Sequence, residues 1–461
     1  MSNAGIEQLG VDTIPDHERK AKPTSLLGVF VGSNLSLSVM VFGWLPILYG
    51  LGFWESVSAI VVGTTLGALL VARTSLLGWR AATNNSVASG AYFGVKGRLV
   101  ASFVGLLLCV QYVALTVWTG GEAISAGVAR LVETEASDMW LSASYVLIAF
   151  CIVGFALYGY RSIVQLNNYV VVGMAALMIL AAIALWPNFD SSYAGDPTVY
   201  ALVDFWPTWL LAVLTAGVSG PISYVTQTGD WARYVSPKHS EKVVVRNTFV
   251  ALLVGLLVPT IFGAAVATAA FDEFSFVAGF VAGSPSWLVV ALVLIGIVGS
   301  LGQGSINLYS MGLDMDAIAP RLTRVQATVL VALVSTSLVF VGRFVFDAAE
   351  AVTTSVLVLT VLATSWTAVS LAAYVRTKGR FNQADLQIFN SGSTGGEYWF
   401  TGGWNVRAVF AWLIGSIAGL LGISSVSYVG PIAEIFQGID VSIPVAGLVA
   451  LALYLIGNST K

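Results

Sequence analysis

Twelve stretches of about 20 predominantly apolar residues follow one another along this sequence, each long enough to cross the hydrocarbon core of a bilayer as an α-helix. They occupy approximately residues 26–48, 54–77, 99–121, 140–159, 164–186, 205–228, 245–270, 287–311, 325–345, 351–374, 405–426 and 441–458. Only 10% of the 461 residues are charged, whereas a soluble protein carries about 25%. The sequence therefore predicts an all-α polytopic membrane protein with twelve transmembrane helices.

The distribution of positive charge predicts the orientation of these helices. An even number of spans places both termini on one side of the membrane. If that side is cytoplasmic, all of the 21 basic residues except Arg130 and Arg343 lie in inner segments, in agreement with the positive-inside rule. We therefore expect a multi-pass protein of the cell membrane with both termini in the cytoplasm.

Polar segments divide the chain around its membrane core. Residues 1–25 form a charged cytoplasmic N-terminal segment without a cleavable signal peptide, so the first span is expected to act as the insertion signal. Residues 26–374 form a transport core of ten helices, and residues 375–404 form a cytoplasmic loop rich in Gly, Ser and Asn. Residues 405–461 hold two accessory transmembrane helices and a short C-terminus.

The chain is poor in the residues that catalytic and metal sites use. Cys109 and Cys151 both lie inside apolar runs, which argues against a disulfide framework or a cysteine-rich metal site, and His17 and His239 lie in polar loops. A membrane-embedded enzyme needs catalytic groups clustered at one depth, and a receptor usually carries a substantial soluble region. We expect neither of these, and we expect no metal, cofactor or nucleic acid. The expected partners are the lipid bilayer and a small-molecule substrate.

The sixth span is interrupted by helix-breaking residues between Gly217 and Pro221. Proline removes an amide donor and clashes with the preceding turn, and in lipid the freed backbone groups need partners. The first span carries a second interruption, the small and polar run from Gly32 to Ser38. Broken helices near the midplane build many transporter sites. A plain proline kink, and serines that bond to their own helix, are the alternatives.

Short motifs add a resemblance that covers nearly the whole chain. They are Glu18-Arg19 with Pro23, Tyr92–Gly97 (YFGVKG), Gly229–Tyr234 (GDWARY), Asn307–Ser310 (NLYS) and Tyr398–Asn405 (YWFTGGWN). In order and placement they resemble the nucleobase–cation symporter family, and within it the purine–cytosine permease branch. The resemblance implies a five-plus-five inverted repeat of the leucine-transporter type, with substrate bound between the first, third, sixth and eighth helices.

The resemblance also implies substrate-binding residues in these helices. A flat heterocycle needs an aromatic face and a few polar groups that read its edge. Tyr112 matches the stacking aromatic and Thr116 an edge-reading group, although a tyrosine can also pack in a helix interface. The sixth-span positions that match are Ser219, Gly220 and Ser223, and Ser36 matches a position in the first span. Pro221 stands where the family often has a second aromatic, so stacking from both sides is open.

Gln303 and Asn307 are four residues apart and share one face of the eighth span. Carboxamides at membrane depth are costly unless they are paired. We interpret them as substrate contacts. The alternative is a hydrogen-bonded contact between helices.

The coupling ion is predicted from the first, third and eighth spans. Sodium-coupled members of the family use carbonyls that match Gly32 and Leu35, but their eighth-span hydroxyls correspond to Leu301 and Gly302. Proton coupling is therefore preferred, sodium remains the alternative, and Glu122 is a candidate carrier unless it is a carboxylate at the water interface.

These features predict a symporter that imports a nucleobase, cytosine or a purine, or a related planar heterocycle by alternating access. The alternatives are a sodium-coupled carrier of allantoin, hydantoin or another small solute, and an amino-acid carrier on the same fold, because fold does not fix substrate. The oligomeric state is left open.

Overall fold

The computed structural model describes residues 10–157, 160–319, 322–345 and 348–457, and these residues are helical without a β-strand. We number the segments that correspond to the twelve predicted spans in chain order. The first combines Ser25–Asn34 with Leu37–Leu48, and the others are Phe53–Ala81, Leu99–Leu131, Asp138–Ala156, Tyr160–Leu185, Phe205–Ile222, Glu241–Ala269, Val289–Ile318, Arg324–Phe344, Ala348–Thr377, Val406–Leu420 and Ser442–Gly457. The shorter helices are Asn85–Ala88, Gly90–Phe93, Thr228–Ala232, Phe276–Gly283, Gln383–Leu386 and Pro431–Ile435.

The helix lengths confirm an all-α polytopic membrane protein. Within the described ranges, nine helices are long and apolar enough to cross a membrane, and the bent pair of the first span makes a tenth. The eleventh and twelfth spans have 15 and 16 residues. At about 1.5 Å per residue they are apolar but shorter than the predicted segments 405–426 and 441–458.

The packing of the first ten spans follows an inverted repeat. The second span lies along the sixth, and the seventh lies along the first in the same way. The fifth contacts the first and eighth, whereas the tenth contacts the sixth and third. The third and eighth spans, which exchange places under the repeat, form the most extensive helix pair in the described residues. Each contact between two spans recurs between the equivalent spans of the other half, with the first equivalent to the sixth, the second to the seventh, and so on. This is the pattern that a five-plus-five repeat produces.

The first span is broken where its sequence turns polar. Helix Ser25–Asn34 and helix Leu37–Leu48 meet at an angle of 60°, and Ser36 between them has extended backbone angles, φ −146° and ψ 156°. Backbone groups freed at membrane depth require internal partners. Here the Ser36 amide donates to the Asn34 carbonyl at 2.8 Å. The predicted break in this span is therefore confirmed.

The interruption of the sixth span lies later than predicted. Val213–Val218 forms a π-helical segment and Ser219–Ile222 remains helical, so Gly217–Pro221 is not the point at which the helix ends. The wider π segment accommodates the proline ring and its missing donor. Turns replace the helix only from Ser223 to Gln227, before helix Thr228–Ala232. The span is broken as expected, but about one turn further along the chain.

The N-terminal segment, described from residue 10, is fastened across one end of the bundle. The Ile14 amide donates to the Ala82 carbonyl at 2.7 Å, and the buried Arg19 donates to the carbonyls of Trp79 and Arg233. Burial lowers the pKa of the Arg19 guanidinium, an effect that Asp16 opposes. Residues 1–9 of the predicted segment 1–25, and residues 458–461 of the predicted C-terminus, lie outside the described residues.

Two of the sequence motifs contact each other at this same end. The Asn405 amide donates to the Phe93 carbonyl at 2.7 Å, and the Val95 amide donates to the Tyr398 carbonyl at 3.1 Å. Gly94 has a φ of +93°, and a Cβ there would lie 2.4 Å from the Gly403 carbonyl oxygen. The loop between the tenth and eleventh spans is thus packed onto the start of the third span.

Candidate functional site

A closed chamber lies where the two broken spans meet. It has free space of about 10 Å³ and is lined by residues of the first, third, sixth and seventh spans: Asn34, Val39, Phe42, Tyr112, Ala216, Gly217, Gly220, Ser223, Tyr224, Leu256 and Thr260. The Tyr224 hydroxyl donates to Asn34 Oδ1 at 2.8 Å and so joins the sixth span to the first. This is the space of about one water molecule, so the residues around the chamber are packed closely together in this structure.

Two aromatic rings form one wall of this chamber. Tyr112 from the third span lies 6.2 Å, between ring centroids, from Phe42 of the first span, with an angle of 33° between the ring planes. Both side chains are buried. Pro221 occupies the sixth-span position at which a second aromatic is common, but Phe42 brings a second ring to the chamber from another helix. Such an apolar, polarisable wall suits a flat ring.

The predicted sixth-span residues lie at the chamber or directly behind it. Gly220 and Ser223 line it, and the Ser223 hydroxyl donates to the Gly220 carbonyl at 2.7 Å. The Ser219 hydroxyl donates to the Thr215 carbonyl, and both serine hydroxyls lie near the Tyr112 hydroxyl. Thr116 does not line the chamber, because its hydroxyl donates to the Tyr112 carbonyl of its own helix at 2.6 Å.

Gln303 of the eighth span connects to the break in the first span. Its Oε1 accepts hydrogen bonds from the Ser36 hydroxyl, at 2.7 Å, and from the Ser38 hydroxyl. Ser36 and Gln303 are each only 1% exposed, so these polar groups are satisfied by one another as burial requires. The predicted contact residues Ser36 and Gln303 are therefore brought together.

Asn307, one turn further along the eighth span, connects to the turns that end the sixth. Its Oδ1 accepts from Gln227 Nε2 at 3.2 Å, and its own amide donates to the Gln303 carbonyl at 3.0 Å. Gln227 Nε2 also lies 3.5 Å from the carbonyl of the chamber residue Ser223. The carboxamides of Asn307 and Gln227 thus form a polar boundary behind the chamber.

Several residues in or beside the chamber were not singled out from the sequence. Asn34, Phe42 and Tyr224 line it, and Ser38 and Gln227 lie behind it. Gln227 carries a signal that could have identified it, since a carboxamide near a helix break at membrane depth is rarely without a partner. Asn34 and Ser38 lie within the polar run of the first span. Phe42 carries no such signal, because one apolar residue among many does not show which side it faces.

The predicted cation carbonyls do face the eighth span. A Cβ on Gly302 would lie 3.3 Å from the Gly32 carbonyl oxygen, and one on Gly299 would lie 3.2 Å from the Leu35 carbonyl oxygen. Gly302 supplies no hydroxyl, and the Ser300 hydroxyl instead donates to the Thr116 carbonyl at 3.2 Å. Ser300 therefore does not replace the missing oxygen ligand.

One additional oxygen points towards this region. Asn167 Oδ1 of the fifth span is buried without a hydrogen-bond partner, and it lies 3.2 Å from the position of a Cβ on Gly302. Its Nδ2 donates to the Ile163 carbonyl at 3.0 Å. The fifth span thus supplies a side-chain oxygen beside the Gly32 carbonyl.

Glu122 is buried, with 8% of its surface exposed. It does not lie in water at the interface, which was the alternative interpretation of this residue. Trp118 Nε1 and the Ser275 hydroxyl donate to its two oxygens at 2.8 and 2.7 Å. The hydrogen bonds tie the third span to the loop before helix Phe276–Gly283, at the end of the bundle opposite the N-terminal segment.

Two further buried carboxyl groups lie towards the other end. Asp314, at the end of the eighth span, accepts from the Ser86 hydroxyl at 2.6 Å. Asp230, in helix Thr228–Ala232, lies close enough to interact electrostatically with both Asp314 and Arg233. Each carboxyl residue is 3% exposed. Asp314 was not singled out from the sequence.

Comparison with known protein families gives a match over almost the whole chain. A family described as permeases for cytosine/purines, uracil, thiamine and allantoin matches residues 13–446. Among individual proteins, the putative purine-cytosine permease YxlA of Bacillus subtilis (strain 168) is 23% identical over 98% of this chain and 95% of its own length. The vitamin B6 transporter TPN1 of Saccharomyces cerevisiae is 25% identical, over 39% of this chain and 31% of that protein.

Solved structures show the same fold. Mhp1, a nucleobase-cation-symport-1 family transporter, in a closed conformation with bromovinylhydantoin bound, superposes with a TM-score of 0.77 at 17% identity. The alignment covers 98% of this chain and 95% of that chain. The inward-facing conformation of Mhp1 gives a TM-score of 0.74 at 16% identity, over 99% and 94% of the two chains.

Proposed function

Because the chain belongs to the family of permeases for cytosine/purines, uracil, thiamine and allantoin, we propose that it is a secondary active symporter for a nucleobase or a related planar heterocycle. The family is one of membrane transporters, and two broken spans around one chamber support transport by alternating access. The bromovinylhydantoin bound to Mhp1 is a compound of the same flat, hydrogen-bonding kind.

The chamber between Tyr112, Phe42 and the end of the sixth span carries this proposal. A heterocycle would stack against Tyr112, and the polar groups of Asn34 and Ser223 would read its edge. Gln303 and Asn307 would then act from behind, either directly after a small shift or through Ser36 and Gln227. The chamber has room for about one water molecule in this structure, so a heterocycle would enter it as the surrounding spans move apart during alternating access.

Uptake into cells that express the protein tests the substrate class. Labelled cytosine, adenine, hypoxanthine, allantoin and hydantoin should include at least one substrate with saturable uptake that the unlabelled compound competes away. The absence of uptake of every planar heterocycle would contradict the proposal. Competition by amino acids would favour the alternative, an amino-acid carrier.

Proton coupling is our proposal for the driving ion. A charged carboxylate buried in a membrane protein raises the free energy of the protein unless it is paired, so such a group favours its protonated form. A carboxyl side chain that alternately holds and releases a proton therefore suits a proton-coupled carrier. Asp314 with Asp230 at one end, and Glu122 at the other, are the candidate carriers. Their positions at opposite ends of the bundle suit proton entry and release in alternate states.

A pair of isosteric variants tests these carriers. Asp314→Asn keeps the size of the side chain and removes its charge, so it should abolish uptake driven by a proton gradient while substrate still raises the melting temperature. Glu122→Gln is the matched variant at the other end. A protonophore should abolish wild-type uptake, which should persist without sodium. Normal concentrative uptake by both variants would contradict proton coupling through these groups.

Sodium is a second candidate on the strength of Asn167. Hard oxygen ligands suit this cation, and Gly32, Leu35 and Asn167 offer three oxygens between the first, fifth and eighth spans. Sodium-dependent uptake that Asn167→Leu abolishes, with Asn247→Leu as a control, would favour sodium over protons.

The orientation is proposed from the charge distribution, with both termini in the cytoplasm of the cell membrane. Cysteine-accessibility labelling should show Lys20→Cys protected from an impermeant reagent in intact cells and Asp190→Cys labelled. Labelling of the N-terminal segment from outside would reverse the orientation.

A further inference from the structure

A groove lies far from the chamber, at the end of the bundle that carries the N-terminal segment. It has a volume of about 470 Å³ and opens outward between the end of the second span, the start of the seventh and the end of the tenth. Its apolar lining comes from all three helices: Leu69, Leu76, Val245, Phe249, Leu371 and Val375. Leu69 is 44% exposed and Val375 74% exposed. These side chains face the surroundings of the bundle at the level where apolar spans end.

Three basic side chains form the polar rim of the groove. Arg73, Lys242 and Arg246 line it and are exposed. In the part of the chain that the structure describes, none of the three forms a salt bridge with a carboxylate. Arg73 uses one guanidinium nitrogen to donate to the Leu69 carbonyl. The rim therefore presents three cationic groups, two of them from one face of the seventh span, where residues four apart are neighbours.

The one acidic residue among the groove residues, Glu241, has partners of its own. Its carboxylate pairs with Arg80 at 2.7 Å and accepts a hydrogen bond from the Tyr374 hydroxyl at 2.8 Å. The negative charge of Glu241 is thus balanced by Arg80, a residue outside the groove lining. The positive charge of the rim is left for an external anion.

We propose that this groove binds an anionic phospholipid. Its phosphate headgroup would lie against Arg73, Lys242 and Arg246, and an acyl chain would cover the apolar floor beside Leu69 and Phe249. Basic pockets between transmembrane helices bind such headgroups, and a lipid satisfies the charged rim and the apolar floor together. A soluble anion would leave the floor exposed.

The bound lipid would link helices that belong to different parts of the fold. The second span packs against the sixth and the seventh against the first, so both hold the broken spans, whereas the tenth also contacts the third. A lipid between them stabilises their present spacing. We therefore expect it to raise the thermal stability of the protein.

The purified full-length protein, stripped of lipid in detergent, provides the test. Phosphatidylglycerol, phosphatidylcholine and inorganic phosphate are added separately, and both the melting temperature and the bound lipid by native mass spectrometry are measured. Phosphatidylglycerol should bind and raise the melting temperature, and it should lose about fivefold in affinity for each basic residue removed from the rim. Phosphatidylcholine should bind far more weakly, and phosphate alone should not stabilise.

The variant R73Q/K242Q/R246Q should lose the preference for phosphatidylglycerol, and the single variants K242Q and R246Q should lose part of it if the triple variant does not fold. The control K20Q/K238Q/K378Q removes the same charge from exposed positions outside the groove lining and should keep the preference. Equal binding of the two lipids, stabilisation by phosphate alone, or an undiminished preference in the folded rim variants would overturn the proposal.

Discussion

Asn307→Ala tests whether the eighth-span carboxamides serve the substrate or only hold helices together. Asn307 accepts a hydrogen bond from Gln227 at 3.2 Å and is 2% exposed. The substitution removes that acceptor and leaves Gln227 Nε2 with only the longer 3.5 Å contacts to the Cys109 sulfur and the Ser223 carbonyl.

The size of the effect follows from the cost of an unsatisfied buried group, about 1–3 kcal/mol. If the carboxamides position the edge of the substrate, the free energy of substrate binding becomes less favourable by this amount. The reason is that Gln227, without its partner, no longer holds the chamber residue Ser223 in position. At about 1.4 kcal/mol per factor of ten, the substrate affinity should fall roughly 5- to 150-fold. If they serve only as helix contacts, the same free energy appears as lower stability, and substrate affinity stays unchanged.

Two measurements on the same preparations separate these outcomes. One is the melting temperature without substrate, and the other is the substrate concentration that produces half of the maximal thermal shift. Asn247→Ala is the matched control: its amide also donates to a carbonyl four residues back, but its side chain lies in the seventh span away from the chamber. Unchanged substrate affinity in a folded Asn307→Ala protein, or an equal loss in both variants, would refute the role in binding.

Substitutions at three other positions test the chamber and its surroundings. Tyr112→Phe should keep most of the substrate affinity, whereas Tyr112→Ala should weaken it by at least a factor of about 2–13, equivalent to the 0.5–1.5 kcal/mol of an aromatic pair; equal affinities in binding assays would exclude stacking. Tyr224→Phe removes the hydrogen bond to Asn34 between the broken spans and should lower stability by about 0.5–1.5 kcal/mol, measured by thermal unfolding. Gly94→Ala forces a Cβ to within 2.4 Å of the Gly403 carbonyl at positive φ, so its melting temperature should fall clearly, and an unchanged value would show that the loop is not fastened there.

The break in the sixth span shows where sequence reasoning reached its limit. Gly217 and Pro221 identify the correct segment, because glycine and proline weaken a helix wherever they occur. The position of the break depends on how the surrounding helices accommodate the defect. A π segment before Pro221 allows the helix to continue to Ile222, and this solution depends on the packing against the second span rather than on the local residues.

The sequence by itself determined that this is a membrane protein, where the helices lie along the chain and which two of them would be interrupted. These properties are local: an apolar run of sufficient length, or a proline within one, acts through its own residues. The tertiary structure alone decided which side chains meet. Ser36 and Gln303 lie 267 residues apart and Tyr224 and Asn34 lie 190 apart, so their pairing depends on how whole helices are placed. The same holds for the burial of Glu122, because exposure at a helix end depends on what other segments cover it.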